Sequence, residues 1–174
     1  RTVLTREELE FRREVIAGAP DLAALQRRLL ARARVVAGRH PAVPALKGML
    51  TADGGVCPSD GTALLFDPWS PASHRCPRCG QAFEGDRHNS RWAWLQHLWL
   101  GERIAEAAVA GLLAGDEALL TWAADTLGRY AGCYPSFPNA DNVLGPARLF
   151  SSTYLESIWL TNYLAGAFLL REGG

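Results

Sequence analysis

An excess of charge of either sign is missing from this chain. Lys plus Arg and Asp plus Glu each number 18 over 174 residues, a formal net charge of zero. Dedicated nucleic-acid binders carry a basic footprint, so this balance argues against that class. Cysteine is scarce as well: there are four. Three sit in one pattern and Cys133 stands apart in an apolar helix end, where a buried free thiol is the ordinary reading. An odd leftover cysteine argues against a disulfide framework, so cysteine alone does not indicate an oxidising compartment. Long apolar runs are few. The strongest, residues 154–170, holds Glu156, Ser157, Thr161 and Asn162 within 17 residues. That reads as a buried helix rather than a membrane span. No internal repeat is visible. The chain opens on Arg1 without a signal peptide, from which no location is read.

What is present is enough apolar material for a sizeable core, 48% of residues, in a length that suits one domain or one part of a larger one. Arg27, Arg28, Arg32, Arg34 and Arg39 read as the solvated face of a helix. Residues 5–8 (Thr-Arg-Glu-Glu) fit a capping box, predicting a helix to about Ala17. Asp21 is expected to cap a second helix, with Leu22, Leu25, Leu29 and Leu30 at three-to-four spacing, ending near Gly38. Residues 50–88 change character, with Gly, Pro, Ser and Asp clustered around strand-like runs at 63–66 and 81–83. Ser90 is expected to open a long helix ending at Gly115. Asp116 caps the next, a Pro- and Asn-rich loop spans 135–146, and Ser152 or Thr153 caps the last. The pattern predicts a mainly α protein, a bundle or partial (α/α) toroid of antiparallel helices, with a small β-rich insertion at 50–88.

Within the insertion, Cys57-Pro-Ser-Asp60-Gly61 and Cys76-Pro-Arg-Cys79-Gly80 repeat one shape. Two tight turns, each presenting two ligands, are the outline of a zinc ribbon, here with a carboxylate in place of one thiolate. Cys57, Asp60, Cys76 and Cys79 are the expected ligands, with His74 a rival for the fourth place and His88 a weaker one. Three sulfurs and a closing carboxylate leave no open position, so the expected zinc is structural.

Six tryptophans are the other notable feature. Trp92 and Trp99 share one face of the long helix, and Trp94 and His97 share another. Such rings either pack between helices or stack on sugar rings. In residues 139–159, Asn142, Arg148, Ser152, Tyr154 and Glu156 gather beside a helix start. An Arg there can clamp a carboxylate bidentately, or Arg148 and Glu156 form an ion pair holding the loop.

The blocks C-P-S-D-G-T-A-L-L-F-D-P…H-R-C-P-R-C-G, R-W-A-W-L-Q-H and N-V-L-G-P-A-R-L-F-S-S-T-Y-L-E-S-I-W-L together resemble heparinase II/III-like polysaccharide lyases, over roughly residues 40–170. The resemblance implies an N-terminal (α/α) toroid whose remaining helices and β-sandwich lie outside residues 1–174. It also implies cleavage of uronic-acid-containing polysaccharide by β-elimination, and a periplasmic or secreted location. It suggests Asn142, Arg148, Ser152, Tyr154 and Glu156 as cleft-lining residues, with His97 and Trp92 as secondary candidates. Tyr130, Tyr134 and Tyr163 are alternatives for a catalytic phenol. The implied partners are an acidic polysaccharide and the rest of the enzyme, with no nucleic acid and no membrane. Two other readings stand beside it: a non-catalytic helical domain whose ribbon makes protein contacts, and a toroid glycoside hydrolase using Glu156 and Asp141.

Overall fold

The computed structural model describes residues 4–49, 53–140 and 145–173. The chain is mainly helical. Its elements in order are α1 (Arg6–Gly18), α2 (Pro20–Arg39), β1 (His74–Arg75), β2 (Ala82–Phe83), α3 (Asp86–Ala114), α4 (Glu117–Cys133), a 3₁₀ turn (Tyr134–Ser136) and α5 (Thr153–Gly173). No helix among the described residues is long and apolar enough to cross a membrane.

Local chemistry explains most boundaries. The Thr5 hydroxyl accepts the Glu8 backbone N–H at 3.1 Å, capping α1 as its sequence predicts. Asp21 does not cap α2 as expected: the helix begins at Pro20 with Ala19 at the cap and Asp21 in the first turn, because Pro20 takes the first position, where its missing N–H costs nothing. It ends on His40, which adopts a left-handed backbone with φ 46°, rather than at Gly38. Pro41 then bars continuation. Helix α3 starts at Asp86, four residues before Ser90. Gly85, at φ 96°, turns the chain and its carbonyl accepts the N–H groups of His88 and Asn89 at 3.0 Å. Asp116 caps α4 by accepting the Leu119 N–H at 3.3 Å.

The chain divides into two compact units. The first comprises residues 1–41, 101–130 and 160–174. Its core includes Leu4, Leu9 and Leu112, packed with Leu113, Leu120 and Leu169. A second cluster gathers Ala33, Ala110 and Leu119 with Leu29, Leu30 and Ala37. Small residues let helices approach closely: a Cβ on Gly166 would lie 2.8 Å from Ile104 Cγ2. The exposed arginines of α2 do lie on a solvated face, and Arg34 pairs with Asp116 at 2.8 Å.

The second unit comprises residues 42–100 and 131–159. Leu100, Leu149, Phe150 and Trp159 are its largest apolar side chains buried to near completeness. Its strand content is slight. β1 pairs antiparallel with β2, His74 opposite Phe83 and Arg75 opposite Ala82. The strand expected at 63–66 is absent; Ala63 makes only an isolated antiparallel bridge to Val56. The apolar run there instead supplies Leu64 and Leu65 N–H groups to the Gly55 and Arg75 carbonyls, each at 2.9 Å.

Candidate functional site

The two cysteine turns fold alike, bond for bond. In the first, the Gly61 N–H donates to the Cys57 carbonyl at 2.8 Å, and the Cys57 N–H donates to the Thr62 carbonyl at 2.7 Å. In the second, Gly80 donates to Cys76 at 3.0 Å, and Cys76 donates to Gln81 at 2.8 Å. Each turn closes on a left-handed glycine, φ 70° at Gly61 and 74° at Gly80, a conformation that side chains with a Cβ rarely adopt. Asp60 therefore stands where the second thiol of a two-cysteine turn would be.

The turns face each other. Ligand atoms of Cys57, Asp60, Cys76 and Cys79 all lie within 4.8 Å of one another, a grouping that could hold a metal ion. Cys57 Sγ is 3.7 Å from Cys79 Sγ, and Cys76 Sγ is 3.7 and 3.8 Å from the two Asp60 oxygens. The Thr62 N–H donates to Asp60 Oδ1 at 2.9 Å and holds its carboxyl below the usual range. The Cys79 N–H does the same for the Cys76 thiol, while burial pushes the Cys57 thiol up. Cys57 and Cys76 are buried and Cys79 is exposed.

The rival ligands face elsewhere. Buried His74 bonds Asn89 Oδ1 through Nε2 at 2.9 Å. His88 Nδ1 lies 2.7 Å from the Gly54 carbonyl, so that nitrogen carries the proton and donates. Neither belongs to the metal-binding group.

A second constellation forms around Glu156, which is 8% exposed on α5. Its Oε2 accepts the backbone N–H groups of Arg148, Leu149 and Phe150 at 2.7, 3.1 and 3.5 Å. Its Oε1 accepts the Tyr134 hydroxyl. The expected Arg148–Glu156 ion pair does not form through the guanidinium. That group donates to the Pro135 and Phe137 carbonyls at 3.0 and 3.1 Å, and only the Arg148 backbone meets Glu156. Tyr134 stacks on Trp159 with planes 4° apart. Burial and the Glu156 hydrogen bond push its pKa up to about 12, so it is no ready base.

Sequence reasoning passed over Lys47, the chain's one lysine. Its ammonium donates to the carbonyls of Pro138, Ala140 and Ala147, at 2.9 Å for the first and 3.2 Å for the last. It thus ties residues 138–140 to Ala147. A single Lys in a Pro-rich stretch gives no pattern from which this could be foreseen.

The remaining named residues separate by exposure. Trp92 is buried and its indole N–H donates to the Asp67 carbonyl at 2.8 Å. His97 is 0% exposed, donates from Nε2 to the Leu46 carbonyl at 3.0 Å, and meets Phe137 and Phe150 edge-on. Burial pushes its pKa down to about 4. Side chains enclosed in this way do not reach a polymer at the surface. Tyr130 is fully buried against Tyr163, whose hydroxyl donates to the Leu127 carbonyl. Tyr154 is 64% exposed and Ser152 is half-buried. Asn142 and Asp141 lie outside the described residues. Comparison of the chain with protein-family models, curated proteins and solved structures finds no match.

Proposed function

We propose that the protein is the helical part of a uronate-cleaving polysaccharide lyase, stapled by a structural zinc ion on a ribbon-like insertion. The observation that carries the zinc is the like folding of the two turns, with three sulfurs and one oxygen within 4.8 Å of one another. A tetrahedral ion with Zn–S bonds of ~2.3 Å separates its sulfurs by about 3.8 Å, close to the 3.7 Å between Cys57 and Cys79. Four protein ligands close the shell, so the ion supplies fold and not chemistry.

The lyase reading is supported by the sequence blocks at 57–80, 91–97 and 142–160. The mainly helical architecture is compatible with part of an (α/α) toroid. In β-elimination a base takes the C5 proton of the uronate, the electron pair forms the C4–C5 double bond, and the C4–O bond breaks as its oxygen gains a proton. The proposed contacts to sugar are Tyr154, Ser152 and Asn142. Glu156, Arg148 and Lys47 act behind them, fixing the backbone of 135–140 and 147–150. His97 and Trp92 hold the wall from inside.

The test is incubation of the complete polypeptide with glycosaminoglycans, alginate and other uronates, following absorbance of the unsaturated uronyl product. Product is expected on one of them. A folded protein with stoichiometric zinc and no product on any uronate favours the non-catalytic helical domain instead.

A further inference from the structure

We propose that Cys79 is a site of peroxide oxidation and that Cys57 resolves it, closing a disulfide between the two turns. The zinc release that follows rests on the metal reading given above; the disulfide rests on the geometry of the cluster. Three features of the cluster point to it. Cys79 is the exposed sulfur, whereas Cys57 and Cys76 are 1% and 0% exposed, so an oxidant arriving from solvent meets Cys79 first. Cys57 Sγ already stands 3.7 Å away across the cluster, and a disulfide requires about 2.0 Å, a small closing movement. Cys76 is the most enclosed of the three, at 0% exposed: its sulfur lies against the Asp60 oxygens and accepts the Cys79 N–H at 3.5 Å.

The fourth ligand sets the outcome. With a carboxylate at position 60 the cluster has three sulfurs, so one disulfide leaves Cys76 and Asp60 as the whole remaining ligand set. Two ligands on separate turns do not retain zinc as four do.

The chemistry balances in two steps. The Cys79 thiolate attacks a peroxide oxygen; an S–O bond forms, the O–O bond breaks, and the departing hydroxide is protonated to water. The Cys57 thiolate then attacks the Cys79 sulfur; the S–S bond forms, the S–O bond breaks, and a second hydroxide becomes water. Two thiolates, one hydrogen peroxide and two protons give one disulfide and two waters. The sulfur pair loses two electrons and the peroxide gains them.

The experiment treats the purified full chain with one equivalent of hydrogen peroxide. Metal content is measured before treatment and released zinc after it, with a chromogenic chelator. Remaining thiols are alkylated and linkages mapped by peptide mass spectrometry. The expected result is a Cys57–Cys79 linkage, alkylated Cys76 and Cys133, and one zinc ion released per linkage. A Cys76–Cys79 linkage, sulfinic acid at Cys79 without a bridge, a bridge through Cys133, or four alkylatable thiols overturns the proposal. The same linkage in a chain that carried no metal beforehand upholds the oxidation site and sinks the metal reading instead.

Discussion

Asp60 occupies in the first cysteine turn the place that Cys79 occupies in the second, three residues after the leading cysteine and one before a left-handed glycine. Because the backbones match, the substitution of carboxylate for thiolate is a change of ligand and not of scaffold. Asp60→Cys is therefore expected to fold and to bind zinc more tightly, as a four-sulfur site. Asp60→Ala removes a direct ligand and is expected to weaken binding by more than the about 10–100-fold that outer-shell changes cost. Competition titration with a zinc chelator measures both. A D60A protein with unchanged affinity rules Asp60 out as a ligand.

Cys76→Ser is expected to abolish stoichiometric zinc and to lower thermal stability. Treating the wild type with a strong chelator should reproduce the loss, since metal binding and local folding are coupled. Elemental analysis beside calorimetry decides the matter. Retention of one zinc per chain in the variant excludes the assigned ligand set.

Glu156 separates a structural role from a substrate role. Its carboxylate accepts three backbone N–H groups and the Tyr134 hydroxyl in a buried position. Glu156→Ala leaves those donors without a partner, at an expected cost of about 3 kcal/mol. For a chain of this size that is a fall in Tm of roughly 6–12 °C. Calorimetry at neutral pH measures it. A variant that melts like the wild type yet loses uronate binding assigns Glu156 to the ligand instead.

Acidification tests the buried imidazole. His97 carries a pKa near 4 in the folded chain and about 6.5 when unfolded. Between those values the unfolded chain binds the extra proton, so stability falls as pH drops from about 6.5 and the loss is complete below about 4. At ~1.36 kcal/mol per unit the full loss is roughly 3 kcal/mol. His97→Gln keeps a donor toward the Leu46 carbonyl without the titration. Denaturant melts of both proteins between pH 7 and 4 should show a shallower decline in the variant, the metal ligands contributing equally to each. Parallel curves refute the assignment.

How far the sequence could be read follows the range of the interactions. The cap at Thr5, the cap at Asp116 and the cluster of Cys57, Asp60, Cys76 and Cys79 were accessible because partners lie three or four residues apart, or repeat a known turn. The 63–66 run misled because β-propensity describes a side chain's fit to a sheet, and here the Leu64 and Leu65 N–H groups go to the single carbonyls of Gly55 and Arg75 without forming a ladder. The α3 start was missed because Gly85, not a polar cap residue, turns the chain. Glu156 and Arg148 were identified as a pair, but no local pattern says that a carboxylate will meet the backbone of its neighbour. His97 and Trp92 looked as suitable for sugar as for packing; only burial distinguishes the two.

The ammonium of Lys47 has a consequence for synthesis. Its acceptors lie 91, 93 and 100 residues further along the chain. At roughly 5–20 residues per second, those carbonyls leave the ribosome about 5–20 s after the lysine does. For that interval the second unit lacks its clamp, while the α1–α2 pair can already form from local contacts. The second unit of a nascent chain therefore stays incomplete until residues 131–159 have emerged, long after residues 42–100.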